Sequence, residues 1–104
     1  MTEQTLDACA QACASCMTAC ARCLEDCIGL PGMEACIRTC RDCKILCAAC
    51  APLCAANSPR APAVCRACMD ACEACVAACE GHPECEACAA ACRACATACR
   101  AIAA

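Results

Sequence analysis

Small apolar side chains recur along this chain at intervals that alternate between three and four residues, with polar and charged residues between them. Cysteine fills most of the recurrent positions, in four blocks. The first holds Cys9, Cys13, Cys16, Cys20, Cys23 and Cys27; the second Cys36, Cys40, Cys43, Cys47, Cys50 and Cys54. The third holds Cys65, Cys68, Cys72, Cys75 and Cys79; the fourth Cys85, Cys88, Cys92, Cys95 and Cys99. Strict alternation of three and four sets every cysteine of a block at heptad positions a and d, one stripe along a helix. A strand repeats every second residue and cannot produce that stripe. Breakers separate the blocks: Gly29-Leu30-Pro31-Gly32, then Asn57-Ser58-Pro59-Arg60-Ala61-Pro62, then Gly81-His82-Pro83. Gly just past a periodic run and Pro just beyond it stop helices. The segments between breakers are rich in alanine, the strongest helix former. The pattern predicts helices at about 4–28, 34–56, 63–80 and 84–102. Pro52 falls inside the second and predicts a kinked or loosened last turn, because it removes a backbone hydrogen bond.

Short links favour antiparallel neighbours. The expected fold is all-α: an antiparallel up-down-up-down four-helix bundle with a cysteine-lined core, a single domain over residues 1–104. Aligning the stripes from the end that holds the first and third links predicts layers. Cys27, Cys36, Cys79 and Cys85 come first, then Cys23, Cys40, Cys75 and Cys88, then Cys20, Cys43, Cys72 and Cys92. Cys16, Cys47, Cys68 and Cys95 follow, then Cys13, Cys50, Cys65 and Cys99, with Cys9 and Cys54 last. Leu6 and Ile102 continue the stripes and should plug that far end. Ala10, Ala12, Ala19, Ala71, Ala78, Ala89, Ala91, Ala96 and Ala98 flank the stripes and let helices approach closely, while charged residues from Arg22 to Arg100 fall on the outer arc. Met17 and Met69 read as gap fillers beside the stripe. Ile45, on the outermost face with Leu46 and Ala49 nearby, reads as an apolar contact between bundles.

Composition then narrows the chemistry. The 104 residues include 22 cysteines and no Phe, Trp or Tyr, so Ala and Cys must build the core. With a net charge of -3, no basic patch and no aromatic platform, nucleic acid is not an expected partner. No apolar run is long enough to span a bilayer. The stretch Met1-Thr2-Glu3-Gln4-Thr5 lacks the basic and apolar regions of a secretory signal, which makes the cytosol, where thiols stay reduced, the expected compartment.

Four uses of these cysteines compete. Packing alone would favour Leu, Ile or Val, which bury more apolar area at about 25 cal/mol per Å². Disulfides within a helix would be strained, because residues three or four apart hold their Cβ atoms about 5–6 Å apart against the roughly 3.8 Å a disulfide needs. Bridges between helices are possible, but they do not require a heptad. Zinc could fill a layer of four thiolates, yet each such site carries a net charge of about -2, and a stack of them in a dry core is unfavourable. Iron–sulfur clusters draw on loop cysteines. Copper(I) fits best. It is soft, prefers thiolate, and with one bridging thiolate per ion leaves a neutral core. Two sulfurs flanking one ion lie about 4–5 Å apart for a bond near 2.3 Å, within reach of a C-x₃-C pair. Ten such pairs occur, from Cys9/Cys13 to Cys95/Cys99; Cys65 and Cys85 are left to join through C-x₂-C or across helices. A zinc or other soft-metal thiolate buffer, or a disulfide-linked structural bundle, stand as the alternatives.

The four blocks of alternating C-x₃-C and C-x₂-C cover nearly the whole chain and resemble the bacterial copper storage proteins, in the branch without an export signal. That resemblance implies a bundle that takes up many Cu(I) ions through thiolates and assembles as a homotetramer. It also implies one apolar, closed end and one end open to copper. Here Leu6 and Ile102 mark the closed end, while His82, the only histidine, and Met33 fall at the other and would guide copper inward as imidazole and thioether ligands. The plainer reading makes His82 a loop residue and Met33 a packing residue at a helix entry. Storage rather than catalysis is expected, since one histidine and no Ser/His/Asp set offer little acid–base chemistry. The enzyme alternative is an oxidoreductase using C-x₂-C pairs, but such motifs act at helix starts in βαβ settings, and no strand is predicted.

Overall fold

The computed structural model describes residues 2–103. Four helices follow in order: α1 (Glu3–Cys27), α2 (Glu34–Ala55), α3 (Ala61–Cys79) and α4 (Glu86–Ala103), with a 3-10 turn, Pro83–Cys85, leading into α4. No strand occurs among the described residues. Thr2 starts α1 with a reciprocal cap: the Thr5 amide donates to Thr2 Oγ1 at 3.1 Å and the Thr2 amide to Thr5 Oγ1 at 3.0 Å. Two otherwise orphaned amides are satisfied in this way. α2 runs through the exposed Pro52 to Ala55 and ends on Asn57, whose φ of 49° is left-handed. The Ser58 amide donates to the Leu53 carbonyl at 2.9 Å and the Asn57 amide to that of Cys54 at 3.1 Å, the paired closure of a Schellman motif.

α3 begins two residues before the position predicted from the breakers. Pro62 sits in its first turn, where the missing N–H has no helical partner to lose. α4 begins slightly late because Pro83 and Glu84 wind into the 3-10 turn first. Gly81, at φ 79°, reverses the chain between α3 and that turn.

Sulfur contacts fix the topology. Cys16 meets Cys43, Cys43 meets Cys72, and Cys16 meets Cys92, each at 3.6 Å. Cys23 meets Cys36, and Cys50 meets Cys65. Sequence neighbours therefore run antiparallel, α1 closes against α4, and the molecule is an up-down-up-down bundle measuring 42 × 18 × 18 Å. The core is the stripe itself. Every cysteine is buried, joined by Leu6, Met33, Ala61, Ala71, Ala89, Ala96, Ile102 and Ala103, and among the described residues no polar or charged one is buried.

The predicted layers need one correction. α2, α3 and α4 keep the expected register, as Cys36–Cys79, Cys40–Cys75, Cys40–Cys88, Cys47–Cys68 and Cys47–Cys95 contacts show. α1 is displaced by one cysteine. Cys20 sits with Cys88, Cys16 with Cys92, Cys13 with Cys95 and Cys9 with Cys99, whereas equal layers would set each one step further along. The link from α1 to α2 is longer than the one from α3 to the 3-10 turn, so α1 rises past its neighbours at that end.

Candidate metal centre

Heptad geometry turns all four stripes inward, and small flanking residues bring the stripes together. Ala71, Ala89 and Ala96 are buried, and Ala10, Ala12, Ala19, Ala78, Ala91 and Ala98 are half-buried between helices. All 22 cysteines are free thiols. Sulfurs on different helices approach to distances from 3.3 Å, Cys36–Cys85, to 4.0 Å, Cys68–Cys95. Along one helix, six of the C-x₃-C pairs hold their sulfurs 3.8 to 4.0 Å apart, Cys50–Cys54 and Cys95–Cys99 among them. That is van der Waals contact, somewhat short of the span across a linear S–Cu–S unit, so small rotations about Cα–Cβ would seat an ion. Cys65 and Cys85, left without a C-x₃-C partner, join across helices. Cys65 meets Cys9, Cys50 and Cys54; Cys85 meets Cys23, Cys27 and Cys36. Groups of four sulfurs within 4.8 Å of one another recur along the axis, among them Cys9, Cys50, Cys54 and Cys65, and Cys16, Cys20, Cys43 and Cys92.

Burial keeps the end thiols neutral. Loss of hydration pushes Cys23, Cys27, Cys65, Cys79 and Cys85 up from the ordinary 9.0, and Cys54 up to about 12. Deeper in, neighbouring thiols act on each other. Cys43 is lowered chiefly by the thiol of Cys16, and Cys95 chiefly by that of Cys13, while Cys47 and Cys92 are raised by the thiols around them, Cys13 and Cys16 foremost. A first thiolate formed there is thus cradled by S–H donors, and its neighbours resist further ionisation.

The two ends differ. At the α1 N-terminal end, Leu6 and Ile102 are buried in the same core as the last sulfurs, and Cys9, Cys54, Cys65 and Cys99 are completely buried. Arg66 Nη1 donates to the Ala103 carbonyl at 3.0 Å and ties α3 to the end of α4 there. A surface depression at this end is lined by Glu3, Leu6, Asp7, Ala55, Ala56 and Asn57. At the opposite end Cys23, Cys79 and Cys88 retain 2–3% exposure. One depression there reaches Cys23 and Cys88 beside Arg22, Asp26 and Glu84; another reaches Cys79 beside Glu80, His82 and Glu86. His82 is half-buried in the latter, its amide donating to the Cys79 carbonyl at 3.2 Å. Met33 is buried within the cysteine cluster at the start of α2. Sequence reasoning overlooked the carboxylates at this mouth; Glu25, Asp26 and Glu34 flanking the first link and Glu80, Glu84 and Glu86 in and beside the third, against Asn57, Ser58 and Arg60 in the middle one, were the available signal.

The family model described as Copper storage protein matches residues 2–104. The chain belongs to the copper storage protein family. It is similar to the Cu(I)-bound copper storage protein BsCsp3, at 38% identity over 96% of this chain and 99% of that one, with a TM-score of 0.88. It is also similar to apo copper storage protein 3 from Bacillus subtilis, at 41% identity over 93% and 97% with a TM-score of 0.85. A third similar structure is a cytosolic copper storage protein from Streptomyces lividans with five coppers, at 32% identity over 97% and 93% with a TM-score of 0.87. No curated protein sequence matches the chain. As a copper storage family member with a fully thiol-lined core, the chain binds Cu(I) as cargo.

Proposed function

We propose that this chain is a single storage domain in the cytosol, not an enzyme, and that its 22 cysteines all ligate Cu(I), with His82 and Met33 guiding ions in at the open end. The observation that carries this reading is the buried column of thiols from Cys9 to Cys85, two stretches in mutual contact joined where Cys16, Cys20, Cys43 and Cys92 lie within 4.8 Å of one another. A column of thiolates alone would hold prohibitive like charge in a dry interior. One monovalent ion per bridging thiolate cancels that charge. Divalent ions at every level would not. Each thiol surrenders its proton to the solvent as copper binds, so a loaded core is close to neutral.

Support for entry at the α1 C-terminal end is the pair of surface depressions that reach the buried Cys23, Cys88 and Cys79, the carboxylates on their rims that attract cations, and the buried Leu6 and Ile102 at the other end. Support for assembly into a homotetramer is Ile45, 60% exposed beside Leu46 in a shallow groove between α2 and α3. The family resemblance and the cytosolic relative from Streptomyces lividans support the compartment.

The test is an anaerobic titration of the reduced protein with Cu(I) against a competing chelator, followed by circular dichroism. Uptake approaching one ion per thiol, with helicity complete beforehand, is expected. Saturation at one or two ions, or a protein purified with few titratable thiols, would overturn the reading.

A further inference from the structure

The displacement of α1 has a local effect at the open end. It sets two cysteines of α1, Cys23 and Cys27, against the same pair from the other side, Cys36 and Cys85. All six sulfur–sulfur distances in this quartet are short. Cys23 lies 3.8 Å from Cys27, 3.7 Å from Cys36 and 3.4 Å from Cys85; Cys27 lies 4.0 Å from Cys36 and 3.8 Å from Cys85; Cys36 and Cys85 are 3.3 Å apart. Four sulfurs around one ion at about 2.3 Å form a tetrahedron with edges of about 3.8 Å. A linear S–Cu–S unit would need about 4.6 Å. The quartet is therefore arranged for one four-coordinate ion, before any rotation of a side chain.

We infer that Cys23, Cys27, Cys36 and Cys85 form a tetrathiolate site for a single divalent soft cation, Zn²⁺ or its analogues Co²⁺ and Cd²⁺, at the mouth of the copper-free bundle. Binding releases the four S–H protons to solvent and leaves a unit of net charge about -2. That charge is untenable repeated down the core, but here it is tolerated. Cys36 lies in the first turn of α2 and Cys85 immediately precedes α4, so two helix N-termini face the site and offset the partial negative C-terminal end of α1, which closes on Cys27. Cys23 also lines the surface depression beside Arg22, Asp26 and Glu84, so the site lies just beneath the surface, where carboxylates draw cations in. The site needs only these four thiols and stands apart from the copper reading.

The experiment is an anaerobic titration of the reduced, copper-free full chain with Co²⁺. One tight equivalent is expected, with the visible d–d bands and near-ultraviolet sulfur-to-cobalt absorption of tetrahedral CoS₄, bleached by one equivalent of Zn²⁺. Cys27→Ser and Cys85→Ala should each abolish the CoS₄ spectrum, while Cys13→Ser, which also removes one thiol, keeps it; circular dichroism verifies that each variant is folded. Absence of a CoS₄ spectrum in the parent chain would overturn the proposal, as would several equivalents of equal affinity or a spectrum unchanged in both mouth variants. Cu(I) capacity measured on the same samples separates the outcomes. Full copper uptake without a cobalt site sinks this inference alone, and a cobalt site without copper uptake sinks the storage reading alone.

Discussion

A cysteine in a helical core gives up apolar area that leucine would bury, and gains a sulfur that ionises on demand. Burial sets the terms of that ionisation. The raised thiols favour the fold while neutral, so their contribution is complete below the ordinary value of 9.0 and is lost as pH rises through the folded value, about 12 for Cys54. Chemical denaturation of the reduced apo protein should show stability falling from pH 9 toward pH 12 as these end thiols ionise; a midpoint that climbs over that range would refute the assignment. Copper loading has the opposite leaning: it releases protons, so apparent Cu(I) affinity should drop as pH is lowered. His82 and Met33 separate by burial. Met33→Ala removes a side chain only 2% exposed and should cost about 2–5 kcal/mol in an apo urea melt. The double variant with His82→Ala should slow Cu(I) uptake in stopped-flow without lowering final capacity; unchanged rates would make both residues structural only.

At the scale of the element, each helix is a stripe of thiols held between rows of alanine. Those alanines determine how near the stripes come. Ala96→Leu introduces bulk at a 6% exposed position and should cost about 1–3 kcal/mol by overpacking. It should also part α4 from its neighbours and reduce Cu(I) equivalents bound, read by the same chelator competition. The closing turn of α2 depends on a left-handed residue. Asn57→Ala should destabilise by about 1 kcal/mol and Asn57→Gly should be nearly neutral in thermal melts, since only Ala carries the left-handed penalty without the compensation that asparagine finds. Surface ion pairs play little part: Arg41–Asp42 and Arg100–Glu73 are both more than half exposed.

For the whole molecule, the decisive asymmetry is between a covered end and an open one, and between a charged outer face and the apolar groove that holds Ile45. Ile45→Glu should shift the assembled species to lower mass in light scattering while leaving Cu(I) uptake per chain unchanged; an unaltered mass would place any interface elsewhere. The up-down topology, the inward stripe and the apolar plug were all legible in the primary structure, because a heptad of cysteines admits only one burial pattern and Leu6 and Ile102 lie in phase with it. The offset of α1 was not. Sliding one helix by a cysteine step exchanges one sulfur for another at the same depth, so the stripes match equally well in either register and hydrophobic pattern cannot choose. The length of the α1–α2 link and the packing of its neighbours make that choice, and with it they decide which thiols meet at the mouth. The identity of the ligand atoms was thus a property of the sequence, whereas their grouping into particular quartets belongs to the tertiary structure, because grouping depends on distances between helices that no local pattern encodes.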